Sequence, residues 1–204
     1  RWSIPEPTGV TDNAANEIKA SDLRQWTRFG SYGHRIYLIV EKALAIPELS
    51  QIVAKGCKLV TSFHQNTSIN DLLMSKQQLL LDVCARGHKL KMEVPTRWNS
   101  THHMLEQLLE QTPAIMAIIT DPNKNKSAAA TLKNYVCTFN EQALLEKLVE
   151  VLSPFLNATN SICGNKWPTF NKVIPILLKL ASCVEMNVND LQPIAKLRCN
   201  ETRT

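Results

Sequence analysis

The sequence predicts a mainly α-helical fold with a small α/β portion at its N-terminus. Three observations carry this prediction. β-compatible runs are confined to the first part of the chain, apolar stripes at helical spacing recur from Ile36 to Leu180, and strand-type alternation is missing from that later region.

Gly9-Val10-Thr11 reads as a short strand ending at Asp12, and Ala14 to Ala20 is helix-favouring. A second brief strand is expected at Trp26 to Phe29, bounded by Gly30 and Ser31. Ile36 to Leu44 has helical length and composition. Leu49, Ile52, Val53, Val60 and Phe63 form a further stripe, which Gly56 weakens by about 1 kcal/mol relative to alanine. Ile69, Leu72 and Leu73 open another helix. Met104, Leu105, Leu108 and Leu109 repeat a buried-face pattern for which Pro113 supplies the stop, and Asp121 to Lys126 reads as a loop. Thr138-Phe139-Asn140-Glu141 is a capping-box pattern, so a long helix should follow, with Leu144, Leu145, Leu148, Val151, Leu152 and Phe155 on its apolar face. Pro154 is expected to kink it, and Pro175 to interrupt the helix from Val173 to Leu180.

A hydrophobic content of 44% over 204 residues is enough to bury a core, and a formal charge of +5 is compatible with a nucleic-acid partner without requiring one. The six cysteines are scattered, with no C-x-x-C pair or close Cys/His spacing, so no structural zinc is expected and the thiols read as reduced. The Asn66-Thr67-Ser68 sequon then carries no meaning. No apolar run reaches membrane-spanning length. The chain opens in mid-flow at Arg1 and is read as an internal piece of a longer one. With no G-x-S-x-G elbow, no phosphate-binding glycine loop and only 6 glycines, hydrolase and nucleotide-binding folds are disfavoured.

Three places can carry chemistry. Asp12, at a strand end, can help hold a divalent metal or simply cap the helix that follows. His34, at the mouth of the Ile36 helix, can reach a ligand held at Asp12 or be an inert surface group. The most unusual stretch runs from His88 to His103, where Lys89, Lys91 and Arg97 suit phosphates. Trp98 within it can stack on an unpaired base, or anchor a helix start in the core while Asn99 or Ser100 caps it.

The segments Thr11 to Asn16 (TDNAAN), Val94 to Thr101 (VPTRWNST) and Met104 to Glu110 (MLEQLLE) resemble hAT-superfamily transposases. The likeness extends to domesticated vertebrate members that carry a BED zinc finger, and Leu148 to Phe155 (LVEVLSPF) looks like their sequence too. The resemblance implies an RNase H-like domain interrupted by an all-helical insertion, here a partial RNase H-like domain at 1–32 and a partial insertion at 33–204. It implies three separated acids binding two Mg²⁺ or Mn²⁺ ions for DNA cleavage, with Asp12 as the second acid and the catalytic remnant formed with His34. It also implies that Trp98 stacks on a flipped base, with Arg97 before it.

One departure is the C-x-x-H element, which here reads Ser31-Tyr32-Gly33-His34, the cysteine being replaced. The first and last acids, the BED finger and a dimerisation segment are expected outside these 204 residues. One aspartate cannot build a two-metal cage, so the isolated chain is expected to be inert and without a cofactor. The resulting expectation is part of a nuclear, DNA-binding transcription regulator derived from a transposase, homo-oligomeric through a segment outside this chain and with no membrane partner. The alternatives are a helical protein-interaction scaffold and part of an active DNA transposase.

Overall fold

The computed structural model describes residues 9–11, 14–80, 87–121, 132–163, 170–183 and 192–195. Within them the fold is mainly helical, and the strands form one two-stranded sheet. Strand β1 (Gly9–Thr11) leads through helix α1 (Ala15–Arg24) to β2 (Arg28–Gly30), and the strands pair in parallel with Val10 opposite Phe29. This is the strand, helix and strand expected from the sequence, with the second strand beginning at Arg28 rather than Trp26. Helix α1 buries none of its residues, and Val10, Leu23, Trp26 and Phe29 are all exposed.

The remaining helices are α2 (Tyr32–Leu44), α3 (Pro47–Gln65), α4 (Thr67–Leu80), α5 (Trp98–Ile119), α6 (Phe139–Ile162) and α7 (Phe170–Cys183). None is long and apolar enough to cross a membrane. Helix α5 is central. It packs against α3, α4 and α6, and its Met104, Leu105, Leu108, Ile115 and Ile118 join Leu49, Ile52, Phe63, Leu73, Leu148 and Leu152 in one core. Gly56 is also a packing residue. A Cβ at this position would lie 3.0 Å from Leu108 Cδ1, so the absent side chain lets α3 approach α5 closely.

The stop expected at Pro113 is not observed. Helix α5 continues six residues past Pro113 to Ile119, because Pro113 faces solvent while Ala114, Ile115 and Ile118 extend the buried stripe. The packing of that stripe outweighs the missing backbone donor. Pro154 and Pro175, the latter exposed, lie inside α6 and α7, whose helical hydrogen bonding continues on both sides of them.

The capping box is formed as expected. Thr138 Oγ1 accepts from the Glu141 amide at 3.4 Å, and the Glu141 carboxylate accepts from the Thr138 amide at 2.8 Å. Lys55 of α3 binds the same carboxylate, tying α3 to the start of α6. Burial pushes the Glu141 carboxyl up, but the Lys55 ammonium and the Thr138 donors more than offset this, and its pKa is lowered. Thr138→Ala is therefore expected to cost about 1 kcal/mol in chemical denaturation. The Glu141 contribution is complete above the ordinary carboxylate pKa and is lost as pH falls through the lowered folded value. An acid titration of Glu141→Gln should lack that loss.

Candidate nucleic-acid interface

Between α4 and α5 the described backbone from Gly87 to Arg97 is irregular, yet it is tightly held. Buried glutamines supply the bonds that a neighbouring strand would otherwise give. Gln77 of α4 donates from Nε2 to the His88 carbonyl at 2.9 Å and accepts from the His88 amide at 2.7 Å. Gln107 of α5 accepts from the Lys91 amide at 2.6 Å and donates to the Lys89 carbonyl at 3.2 Å. Each primary amide thus mimics the paired bonds of a β-ladder. His64 Nε2 of α3 lies 2.6 Å from the Leu90 carbonyl, which can only accept, so that nitrogen carries the proton. Leu90 is driven into the core beneath this strap. The strap enters at Gly87, where a Cβ would sit 2.6 Å from Gln77 Oε1 and 2.9 Å from the Met74 backbone.

Burial and hydrogen bonding then sort the strap's charges. The Glu93 carboxylate is turned inward, accepting from Thr101 Oγ1 at 2.7 Å and from Cys57 Sγ at 2.6 Å. Burial, together with the Glu93 hydrogen bond and charge, pushes the Cys57 thiol up to about 12, so it stays protonated and unreactive. His88, Lys89, Lys91 and Arg97 are exposed. The solvent face of the strap is cationic as a result.

The strap ends in a turn closed by the Arg97 amide and the Val94 carbonyl at 2.8 Å, with Pro95 at its second position. Neither Asn99 nor Ser100 caps α5. The N-cap residue is Arg97, which makes no side-chain cap bond, and the Ser100 hydroxyl reaches back to accept from the Val94 amide at 2.8 Å and donate to the Arg97 carbonyl at 2.6 Å. Trp98 is the first residue of α5 and only 5% exposed, packed in the core with Leu90 and Met104. Of the two readings open for Trp98, this burial favours the anchor. An indole enclosed on this scale offers no open face to a base.

At the sheet, Asp12 lies outside the described residues. Its neighbour Thr11 ends β1, and the Thr11 carbonyl accepts from the Ser31 amide at 2.6 Å. Ser31 caps α2 by accepting from the His34 amide at 3.3 Å, which sets His34 in the first turn of α2 beside the strand end. The imidazole stacks on Tyr37 at 6.0 Å between centroids. Among the described residues no group of three metal-ligating side chains gathers at this edge. Gln77, Gln107 and Glu93 are structural supports of the strap that the residue pattern did not single out.

Residues 30–150, more than half of the chain, match the ZBED1 RNase-like helical domain. The chain belongs to that family. This ZBED1-type domain is similar to zinc finger BED domain-containing protein 4 of Homo sapiens, at 25% identity over 87% of this chain. It is equally similar, at 25% identity over 93% of this chain, to the transposable element Hobo transposase of Drosophila melanogaster. The chain spans 14% of the first relative and 25% of the second. Together these matches identify a hAT-derived, domesticated-transposase type of sequence, as the VPTRWNST block implied.

Proposed function

We propose that this ZBED1-type domain is part of a nuclear, DNA-bound transcription regulator derived from a transposase, and that it holds DNA through the strap before α5. One observation carries the reading. Half-buried Glu93 is turned inward by two hydrogen bonds, while Lys89 and Lys91, on backbone that the glutamines hold, and Arg97, at the turn closed on Val94, are left exposed. A prefixed row of cations suits a phosphate chain, because little side-chain or backbone order must be gained on binding. Trp98 acts in this reading as a core anchor for the start of α5.

Residues 1–32 are proposed as the remnant of an RNase H-like domain and 33–204 as its helical insertion. The exposed Val10, Trp26 and Phe29 support this, since a sheet that continued into further strands and helices would cover them. Asp12 and His34 would then be remnants of the catalytic edge, and an active parent would need its other acids from elsewhere. A second reading, an interaction scaffold, is favoured by the buried Trp98 and by Ile174 and Leu178, which α7 leaves exposed.

Fluorescence anisotropy of hairpin and single-stranded DNA separates the two. In the DNA reading, Lys91→Ala and Arg97→Ala each weaken binding irrespective of sequence, and each flattens the plot of log affinity against log salt by about 0.7 to 0.9 per lost phosphate contact. A slope that the double variant leaves unchanged would support the scaffold.

A further inference from the structure

We propose that His102, His103 and Glu106, on the first turns of α5, form a binding site for one divalent transition-metal ion of the zinc class. One ligand-capable atom from each of the three lies within 4.8 Å of the other two, and His103 Nδ1 already sits 3.5 Å from Glu106 Oε2. Their spacing explains the grouping: 102 and 106 are four apart, and 103 and 106 are three apart, so all three share one patch of the helix surface. No cysteine is involved, and the absence of close Cys/His spacing gave no hint of the site.

A second, independent observation points to a ligand. His102 is 1% exposed, and its Nδ1 is buried without a hydrogen-bond partner. The state of that nitrogen follows from its neighbours. Ser153 of α6 donates its single hydroxyl hydrogen to the Val149 carbonyl at 2.8 Å, so its oxygen is free only to accept. His102 Nε2 lies 3.2 Å from that oxygen and must therefore be the protonated nitrogen. Nδ1 is left with a bare lone pair, and an acceptor buried in this way is unfavourable until something fills it. A ring nitrogen whose partner nitrogen is held by a hydrogen bond is the usual arrangement of a metal-ligating histidine.

The electrostatics agree. Burial pushes the His102 pKa down, outweighing the raising influence of Glu106 and the Val149 carbonyl. Two imidazole nitrogens and one carboxylate oxygen suit Zn²⁺ and its neighbours Ni²⁺ and Cu²⁺ better than Mg²⁺ or Ca²⁺, which prefer oxygen. His103 and Glu106 are partly exposed, which gives an ion a path from solvent and leaves a coordination position for water.

The test titrates Zn²⁺ into the 204-residue chain by calorimetry and follows the imidazole nitrogens by long-range ¹⁵N NMR. The metal-free protein should show His102 protonated at Nε2. One equivalent of Zn²⁺ should then shift His102 Nδ1 together with a His103 nitrogen. His103→Ala and Glu106→Gln alter partly exposed side chains and should keep the native melting temperature, while each weakens binding about tenfold or more. Ser153→Ala removes the group that orients His102 and should weaken it by about 10- to 100-fold. The proposal is overturned by a metal-free His102 protonated at Nδ1, by Zn²⁺ affinity that is unchanged in both His103→Ala and Glu106→Gln, or by binding that shifts no imidazole nitrogen.

Discussion

Trp98→Ala is expected to lose about 3 to 5 kcal/mol of folding stability, the cost of emptying a large aromatic from a packed core. The indole is 5% exposed and belongs to the same core as Leu90 of the strap and Met104 of α5, so truncation leaves a cavity where strap and helix meet. Denaturation midpoints and DNA affinity measured on the same sample decide the role of this residue. An anchor predicts a destabilised variant whose folded fraction binds DNA as the wild type does. A stacking platform predicts nearly native stability with an affinity loss of about 1 to 3 kcal/mol and an unaltered salt slope. The enclosed position of the ring leads us to expect the first outcome.

The second large effect is expected at Gln77. Replacing it with leucine keeps the volume but removes the side-chain partner of both the amide and the carbonyl of His88, at about 1 to 3 kcal/mol for each group that water does not reach. Gln77 is itself 1% exposed, so the loss is felt in a dry environment. The strap should peel from α4 first. Hydrogen exchange at the His88 and Lys91 amides should speed up, and limited proteolysis should cut between Gly87 and Arg97, while the helices stay protected. Unchanged protection at His88 would show that Gln107, His64 and the buried Leu90 hold the strap without Gln77.

The contrast between these residues shows what was legible in the sequence. The Thr138–Glu141 box was readable because both of its partners lie within four residues and act through local geometry. The strand, helix and strand at the N-terminus was readable for a similar reason, since β-compatible runs flank a helix-favouring one. Pro113 misled because a local rule was set against a buried stripe, and packing prevailed. Gln77 and Gln107 were passed over because glutamine on a helix normally faces water, and only the path of a distant segment makes them buried donors and acceptors. Trp98 stayed open because neighbouring residues cannot tell whether an aromatic beside cations faces inward. The inward turn of Glu93 depends on Cys57, 36 positions away, and so lies beyond any local pattern.

The glutamine clasps also set what kinds of change this segment can absorb. In an extended backbone successive side chains point to opposite sides, and here Leu90 goes inward while Lys89 and Lys91 go outward. Gln77 and Gln107 grip backbone atoms, so they are indifferent to which side chains occupy 88, 89 and 91. They are not indifferent to how many residues lie between Gly87 and Lys91. Inserting or deleting one there would bring a lysine into the place of Leu90 and put the leucine in water, reversing the strap from a cation row over an apolar floor to a charge sealed in the core. The segment is therefore free to drift in composition, and its partner preference with it, while its length is fixed.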